Sequence, residues 1–509
     1  MEQFDEIIVG AGSAGAVIAA RLSEEPDRRV LLLEAGPDYP TLEELPGDLR
    51  DPWISLVAHD WGFSAKATDA HGFPYPRGKV TGGCSAVNNA AATRGLPVDF
   101  ERWVELGNPQ WSFSAVLPYY RKLENDADFH GDFHGRSGPI FIQRPQHLQP
   151  LSRAFIDAAR AIGCAEVRDL NDPGAIGAGP VPHNIRDGIR LSTALAYLMP
   201  ARSRSNLTIR PGCLINRVLI ERNRAVGVEA VSGPRSERFF GRRVTVCAGS
   251  IGTPAILMRS GIGARAALEQ IGVRVAVDSP GVGANLIDHP VEMVIARGKV
   301  GVEHNPAVFW EVTLRGNAGG SARPHEMMFP LLSAYSDRIL ADYFGAPPYP
   351  VIALCPALQQ PRSRGTVTLH SADPRQPPTI DLNMLSHPDD LRIVAEGMHI
   401  ARSLLLRPEL SQYVERIEAP DEETFSSAQR LAAYLRANCY TGYHPVGTCR
   451  MGPDDDGQAV VDQHGRVRGV EQLRVADASI MPNIVSAPTN LTCIMIGERV
   501  ADWMGEETD

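Results

Sequence analysis

Short unbroken apolar runs that end on glycine, an acid or a small residue recur along this chain. The first is Glu6-Ile7-Ile8-Val9, which predicts a strand covered on both faces. Ala16 to Leu22 reads as a helix. Val30-Leu31-Leu32-Leu33 is a second buried strand and stops at Glu34. Arg243 to Ser250 repeats the pattern far downstream. It opens onto a helix predicted from Thr253 to Arg259, which Ser260-Gly261-Ile262-Gly263 stops. Leu473 to Ile480 is a third such strand, and Ser486 to Thr492 leads into a last helix through Val500. Three distant stretches therefore return to one parallel sheet.

Between them the pattern changes. Leu207–Arg210, Arg217–Ile220 and Ala225–Val231 alternate as antiparallel strands do. Residues 98–124 read as helix, with Trp103, Trp111 and Tyr119 as core. Residues 150–163 form an amphipathic helix and 192–200 a short helical segment. Residues 37–75, with Trp53 and Trp61, are Pro- and Asp-rich and read as loop. From about residue 297, strands at 326–329, 351–354 and 365–369 are separated by Pro and Gly. Helices at 388–406 and 421–437 cover them. The fold class is α/β: a Rossmann-like domain with a parallel sheet, plus an α+β domain with an antiparallel sheet. The first takes residues 1–147, 200–296 and 436–509; the second takes 148–199 and 297–435. No internal repeat stands out.

Chemistry enters at the first turn. Gly10-Ala11-Gly12-Ser13-Ala14-Gly15 is a G-x-G-x-x-G turn between strand and helix. Gly10 allows the tight turn, Gly12 lets a pyrophosphate approach the backbone, and Gly15 lets helix and strand pack closely. The helix N-terminus offers N–H groups and a positive dipole end to phosphate. Glu34, 19 residues beyond Gly15, would accept hydrogen bonds from an adenosine ribose and repel a 2′-phosphate. The motif predicts dinucleotide binding and disfavours NADP. It does not separate FAD from NAD.

Composition narrows the classes. With 43% hydrophobic and 22% charged residues the chain is globular, and its 509 residues exceed one ordinary domain. A net charge of −10 disfavours nucleic acid and anionic membrane as partners. The first strand begins about five residues in, which leaves no room for a signal peptide. No apolar stretch reaches the ~18 residues of a spanning helix. Eight scattered cysteines without C-x-x-C suit a reducing cytoplasm and give no zinc site.

Three further stretches carry candidate chemistry. Residues 77–88 place paired glycines before small hydroxyl and amide residues, which suits backbone lying against a cofactor or a flexible surface loop. Asp128 to Gly135 holds two histidines and two aspartates. His130 and His134 share no regular element, so a structural loop is favoured over a metal site. His444, in Tyr443-His444-Pro445, reads in isolation as a core histidine. Asn490 alone reads as a loop or helix-cap residue.

These blocks together resemble the glucose–methanol–choline (GMC) family of flavin oxidoreductases over nearly the whole chain. Gly10 to Glu34, Gly78 to Asn88, Gly249 to Gly263 and the pair around His444 and Asn490 carry the likeness, in family order. Thr81 and Cys84 depart from the family's usual residues in the second block. The resemblance implies FAD held by Gly10, Gly12, Ser13, Ala14, Gly15, Glu34 and Ala35. It adds Val80, Gly82, Gly83, Ser85, Asn88 and Ala91, backbone near Val218, Ala248 and Gly249, and Asp477 with Ala478. His444 and Asn490 would face the flavin. His289 and His325 are weaker candidates, read as structural or substrate-lining. The implied reaction oxidises a small primary or aryl alcohol to an aldehyde or ketone, as choline and hydroxymethylfurfural oxidisers do. A histidine near its ordinary pKa of about 6.5 would take the hydroxyl proton, and an amide would hold the oxygen. The electron acceptor would be O2 or a quinone or other redox carrier. FAD would be non-covalent, since Val87 stands where a linking histidine occurs in some relatives. The rival implication is a lyase-type or non-catalytic relative that keeps the FAD fold without alcohol turnover. No metal is expected, and oligomeric state is open.

Overall fold

The computed structural model describes residues 3–52, 58–232, 235–302, 308, 310–316, 323, 325–335 and 349–507; Trp53 lies outside them. Strand β1 (Gln3–Val9) leads through helix α1 (Gly15–Leu22) to β2 (Val30–Leu33), as the apolar runs predict. Strands β3 (Leu207–Arg210), β4 (Leu214–Glu221), β5 (Arg224–Ser232) and β6 (Arg235–Val246) follow much later. They precede helix α2 (Gly249–Arg259), strand β7 (Leu473–Val475) and helix α3 (Asn490–Glu506). One seven-stranded sheet runs β3-β2-β1-β6-β5-β4, with β7 on β6. The second half of β6 pairs parallel with β1 and β7, and its first half pairs antiparallel with β5.

Strand β3 corrects the sequence reading. It alternates, yet it pairs parallel with β2 from Leu207 opposite Val30. It is an edge strand with one side partly open, and alternation reports burial rather than direction. Residues 37–75 are likewise not all loop. Ser64–Lys66 and Gly72–Pro74 join Thr366–Thr368 and Thr379–Asp381 in a four-stranded sheet. Three of these four strands have a single buried residue between two exposed ones, too short a pattern to register. The stretch 98–124 divides into helices Pro97–Glu105 and Phe113–Leu123. Trp103 and Trp111 are fully buried; Tyr120, rather than Tyr119, takes the third core position. Helix α2 starts before Thr253 despite Pro254. The proline frees the Ser250 carbonyl four residues back, and the Thr448 hydroxyl donates to it at 2.7 Å.

A nine-stranded sheet, antiparallel in its recorded pairings, lies beside the first. Its strands include Val294–Gly298, Met327–Tyr335 and Pro350–Leu354, and helix Pro388–Leu405 packs in the same core. It also takes Pro290–Val291 and Tyr440–Thr441, whose pairing brings Asp288 and His289 next to His444.

The Asp128–Gly135 loop belongs to a buried charge cluster. Arg144 donates to Asp126 at 2.6 Å and to Asp169 at 2.7 Å. His134 Nε2 lies 2.9 Å from Asp169, and its Nδ1 lies 3.2 Å from Asp126 and 3.4 Å from Glu124. His130 is exposed outside the cluster. Burial opposes charge on His134, but the three carboxylates overcome it and lift its pKa to about 10. The folded value lies above the ordinary one of about 6.5. The stabilisation is therefore complete below pH ~6.5 and is lost as pH rises towards 10. We expect the thermal midpoint of the wild type to fall more steeply between pH 7 and 10 than that of His134→Gln, by a few degrees. Parallel slopes in differential scanning fluorimetry would refute this.

Candidate active site

The dinucleotide turn is built by exclusion of side chains. Gly10 sits at φ +97°, and a Cβ there would lie 2.5 Å from the Cys247 carbonyl. A Cβ on Gly15 would lie 2.0 Å from the Gly10 carbonyl oxygen, so Gly15 is the packing glycine. A Cβ on Gly12 would meet nothing nearer than the Gly83 Cα at 3.9 Å. The space above Gly12 is thus kept clear for a ligand. Glu34 accepts from Ala11 N at 2.9 Å and from Gly36 N at 2.8 Å. Burial raises its carboxyl pKa, and those backbone bonds counter the shift. Its oxygens stitch the end of β2 to the glycine turn while the side chain lines the cavity.

That cavity is about 800 Å³. Gly10, Gly12, Ser13, Ala14, Glu34 and Ala35 line one end. Gly83, Asn88 and Ala91 line a second side, and Ala248, Gly249, Asp477 and Ala478 a third. Asp477 accepts from Gly249 N at 2.8 Å, Thr253 Oγ1 at 2.6 Å and Ser479 N at 2.8 Å, so it caps α2. Five residues named from sequence stand behind the wall. Gly15 packs against Gly10. Val80 is buried with Leu45 and Leu49. The Gly82 amide donates to the Ala11 carbonyl at 2.7 Å and ties the two loops together. Ser85 Oγ donates to the Gly82 carbonyl at 2.6 Å. Val218 donates its amide to Ser260 Oγ at 2.8 Å; Cys213, Leu214 and Ile215 line the cavity in its place. None of these five lines the cavity; they shape the loops, helix and strand around it.

The opposite end carries two histidines. The His289 and His444 rings face each other with Nδ1 atoms 3.0 Å apart. His289 Nε2 lies 3.1 Å from the Val485 carbonyl. A carbonyl only accepts, so Nε2 of His289 holds the proton and its Nδ1 is a lone pair. Nδ1 of His444 must then donate, which leaves Nε2 of His444 as a lone pair. Burial pushes His289 down to about 4. It pushes His444 well below the ordinary value too, helped by His289 and the Arg77 guanidinium. A base poised near 6.5 is thereby corrected: both imidazoles are neutral at pH 7. Asn490 opens α3, and its Oδ1 accepts from Ser13 Oγ at 2.8 Å. Its amide N–H groups have no protein acceptor among the described residues, and it lines the cavity. Beyond the histidines the nine-stranded sheet supplies apolar walls, including Val291, Met328, Leu332 and Ala357.

The sequence reading took His289 as structural or substrate-lining and gave Asp288 and Arg77 no role; His289 lines the cavity and its Nδ1 meets that of His444. The Asp288-His289-Pro290 triplet was the available signal. His325 does not line the cavity.

Fold and site define a dinucleotide-dependent oxidoreductase with two neutral histidines at one end of its cavity. Models of the GMC oxidoreductase family match residues 4–291 and 361–497, and the chain belongs to that family. It is an FAD-dependent oxidoreductase acting on CH–OH donors. It is 34% identical to an oxygen-dependent choline dehydrogenase of Brucella anthropi over 98% of this chain and 95% of that protein. The enzyme of the same description from Klebsiella pneumoniae is 37% identical, with the same coverage. Among solved structures, pyridoxine 4-oxidase of Mesorbium loti superposes with a TM-score of 0.91 at 31% identity, covering all of both chains. A formate oxidase of Aspergillus oryzae gives 0.89 at 26%, covering 98% of each.

Proposed function

We propose that this site oxidises the hydroxyl of a small primary or aryl alcohol to the aldehyde, with His444 as base and Asn490 as clamp. The observation that carries the reading is the chain of bonds from Val485 through His289 to His444, which leaves a lone pair on His444 Nε2. Oxidation requires loss of the hydroxyl proton and of a hydride from carbon. FAD, when bound, supplies the hydride acceptor at flavin N5. The protein supplies the rest. His444 takes the proton, the Asn490 amide donates to the oxygen, and the apolar wall excludes water. The Gly10–Gly15 turn, Glu34, the Gly82–Asn88 loop, the Ala248–Gly249 turn and Asp477 would hold the cofactor. The two sheets support a two-domain division with bounds close to residues 147, 199, 296 and 435; strand Val294–Gly298 and helix Ala428–Asn438 run across the last two bounds, and the short strands at 290–291 and 440–441 cross between the domains. Relatives described as acting on choline and pyridoxine support an alcohol, and their descriptions favour oxygen over a quinone as acceptor. Eight free cysteines and the lack, among the described residues, of any helix long and apolar enough to cross a membrane favour a cytoplasmic location.

An anaerobic panel of benzyl, alkyl and amino alcohols tests this reading. At least one should bleach the flavin spectrum, and admitted oxygen should restore it. A flavin unmoved by every alcohol would refute it. The flavin should be non-covalent, because Val87 lines the cavity without a nucleophile. Acid precipitation should release the yellow colour to the supernatant, and colour held in the pellet would show a covalent link.

A further inference from the structure

The two histidines come from segments 155 residues apart, so something must fix their spacing. The Asp288 carboxylate is buried and takes four donors. One oxygen, Oδ1, accepts from His289 N at 2.7 Å and from His444 N at 2.8 Å. The other, Oδ2, accepts from the Tyr75 hydroxyl at 2.5 Å and from the Thr441 hydroxyl. Among the described residues no cation bonds it directly: Arg77 gives its Nη1 to the Tyr443 carbonyl at 2.9 Å and its Nε to the Pro76 carbonyl. Both histidine main chains thus hang from a single oxygen atom. The local backbone is shaped to allow this. Tyr443 adopts φ 61°, which turns the His444 amide inward. Gly442 fills the gap between the rings: a Cβ there would lie 2.8 Å from His444 Nδ1 and 3.2 Å from His289 Cβ.

We infer that Asp288 is a positioning residue for the base, holding the His289–His444 pair in register through its Oδ1. The 3.0 Å bond between the rings selects the His444 tautomer whose Nε2 lone pair can take the alcohol proton. Without the clamp the ring can turn, and the wrong tautomer or a displaced nitrogen faces the substrate. The groups around His444 are His289, Arg77, Tyr75, Tyr443 and Asp288 itself. Burial keeps the Tyr75 hydroxyl protonated far above neutrality, so it remains a donor to Asp288 at every working pH.

This inference rests on the alcohol-oxidising reading, so His444→Ala runs beside the test. The measurement is anaerobic flavin reduction by a substrate alcohol, giving a limiting rate and a half-saturating concentration. Asp288→Ala should lower the limiting rate 30-fold or more, with half-saturation changed less than threefold and FAD retained. Asp288→Asn keeps an oxygen for the two amides and should recover the rate to within fivefold of wild type. Tyr75→Phe loads only the other oxygen less and should stay within threefold. A merely structural role would lower stability in all three variants without separating rate from half-saturation or Asn from Ala. If Asp288→Ala cannot hold FAD, Gly442→Ala decides: it leaves all four Asp288 bonds and drives the rings apart, with a tenfold lower limiting rate expected. A wild-type limiting rate in Asp288→Ala or, failing that variant, in Gly442→Ala overturns the inference. So does an Asn variant as slow as Ala. If the wild type reduces its flavin and His444→Ala does not, the functional reading stands whatever Asp288 does.

Discussion

His444→Ala is expected to fold and hold FAD, and to reduce its flavin at least 100-fold more slowly than wild type. That is about 2.7 kcal/mol of barrier, within the range of a positioned general base. Folding should survive because His444 lies in no strand and, among the described residues, its ring bonds only His289. FAD should stay because the proposed cofactor walls, the Gly10, Gly83 and Gly249 turns, do not include His444. The pH dependence follows from the direction of the shifts. Burial depresses His444 below 6.5, so the base is neutral from there upward. The rising limb of kcat/KM that it governs should fall below pH 6.5, with a plateau above. Stopped-flow reduction of both proteins across pH 5 to 9 checks both parts. Equal rates in variant and wild type would sink the assignment and move attention to His289.

The second large effect separates two glycines three residues apart. Gly12→Ala should give a folded protein that loses FAD, with affinity down at least about tenfold, or 1.4 kcal/mol. Its new methyl sits in open space, 3.9 Å from Gly83, where a pyrophosphate would approach. Gly15→Ala should fail earlier. Its methyl would lie 2.0 Å from a backbone oxygen and 3.0 Å from Cys247 Cβ, so α1 must lift off the sheet, at a cost of about 3 kcal/mol. Flavin content and urea midpoint, measured together, tell them apart. A colourless Gly12→Ala with a wild-type apoprotein midpoint is the expected result. A yellow Gly12→Ala would overturn the phosphate role of that turn.

Local pattern carried the parallel sheet and its two helix-opening turns, because each is a contiguous run whose residues see only their neighbours. It failed where partners are distant. Strand β3 alternates because it lies at an edge, and nothing in Leu207–Arg210 encodes that Val30 lies opposite. Ser64–Lys66 is invisible until Thr379–Asp381 pairs with it. In the site, the meeting of His444 and Asn490 on one cavity was legible through family blocks. The depressed pKa of His444 was not, since it arises from burial and from His289 and Arg77 across the fold. Val218 itself does not line the cavity, because β4 runs along it and only the start of that strand, Leu214 and Ile215, reaches the wall.

Helix α3 packs on α1, and Gly497 permits it, since a Cβ there would lie 2.8 Å from the Ala14 carbonyl. Arg21 on α1 bonds Glu498 on α3 at 2.8 Å, and Tyr197 bonds the same carboxylate. Helix α1 therefore waits for α3, which the ribosome makes much later. At roughly 5–20 residues per second, synthesis leaves that surface uncovered for about half a minute to a minute and a half. The apolar face of α1 is thus exposed to chaperones or to aggregation until α3 is made. Slowing elongation late in the message should lower the soluble yield more than slowing it early.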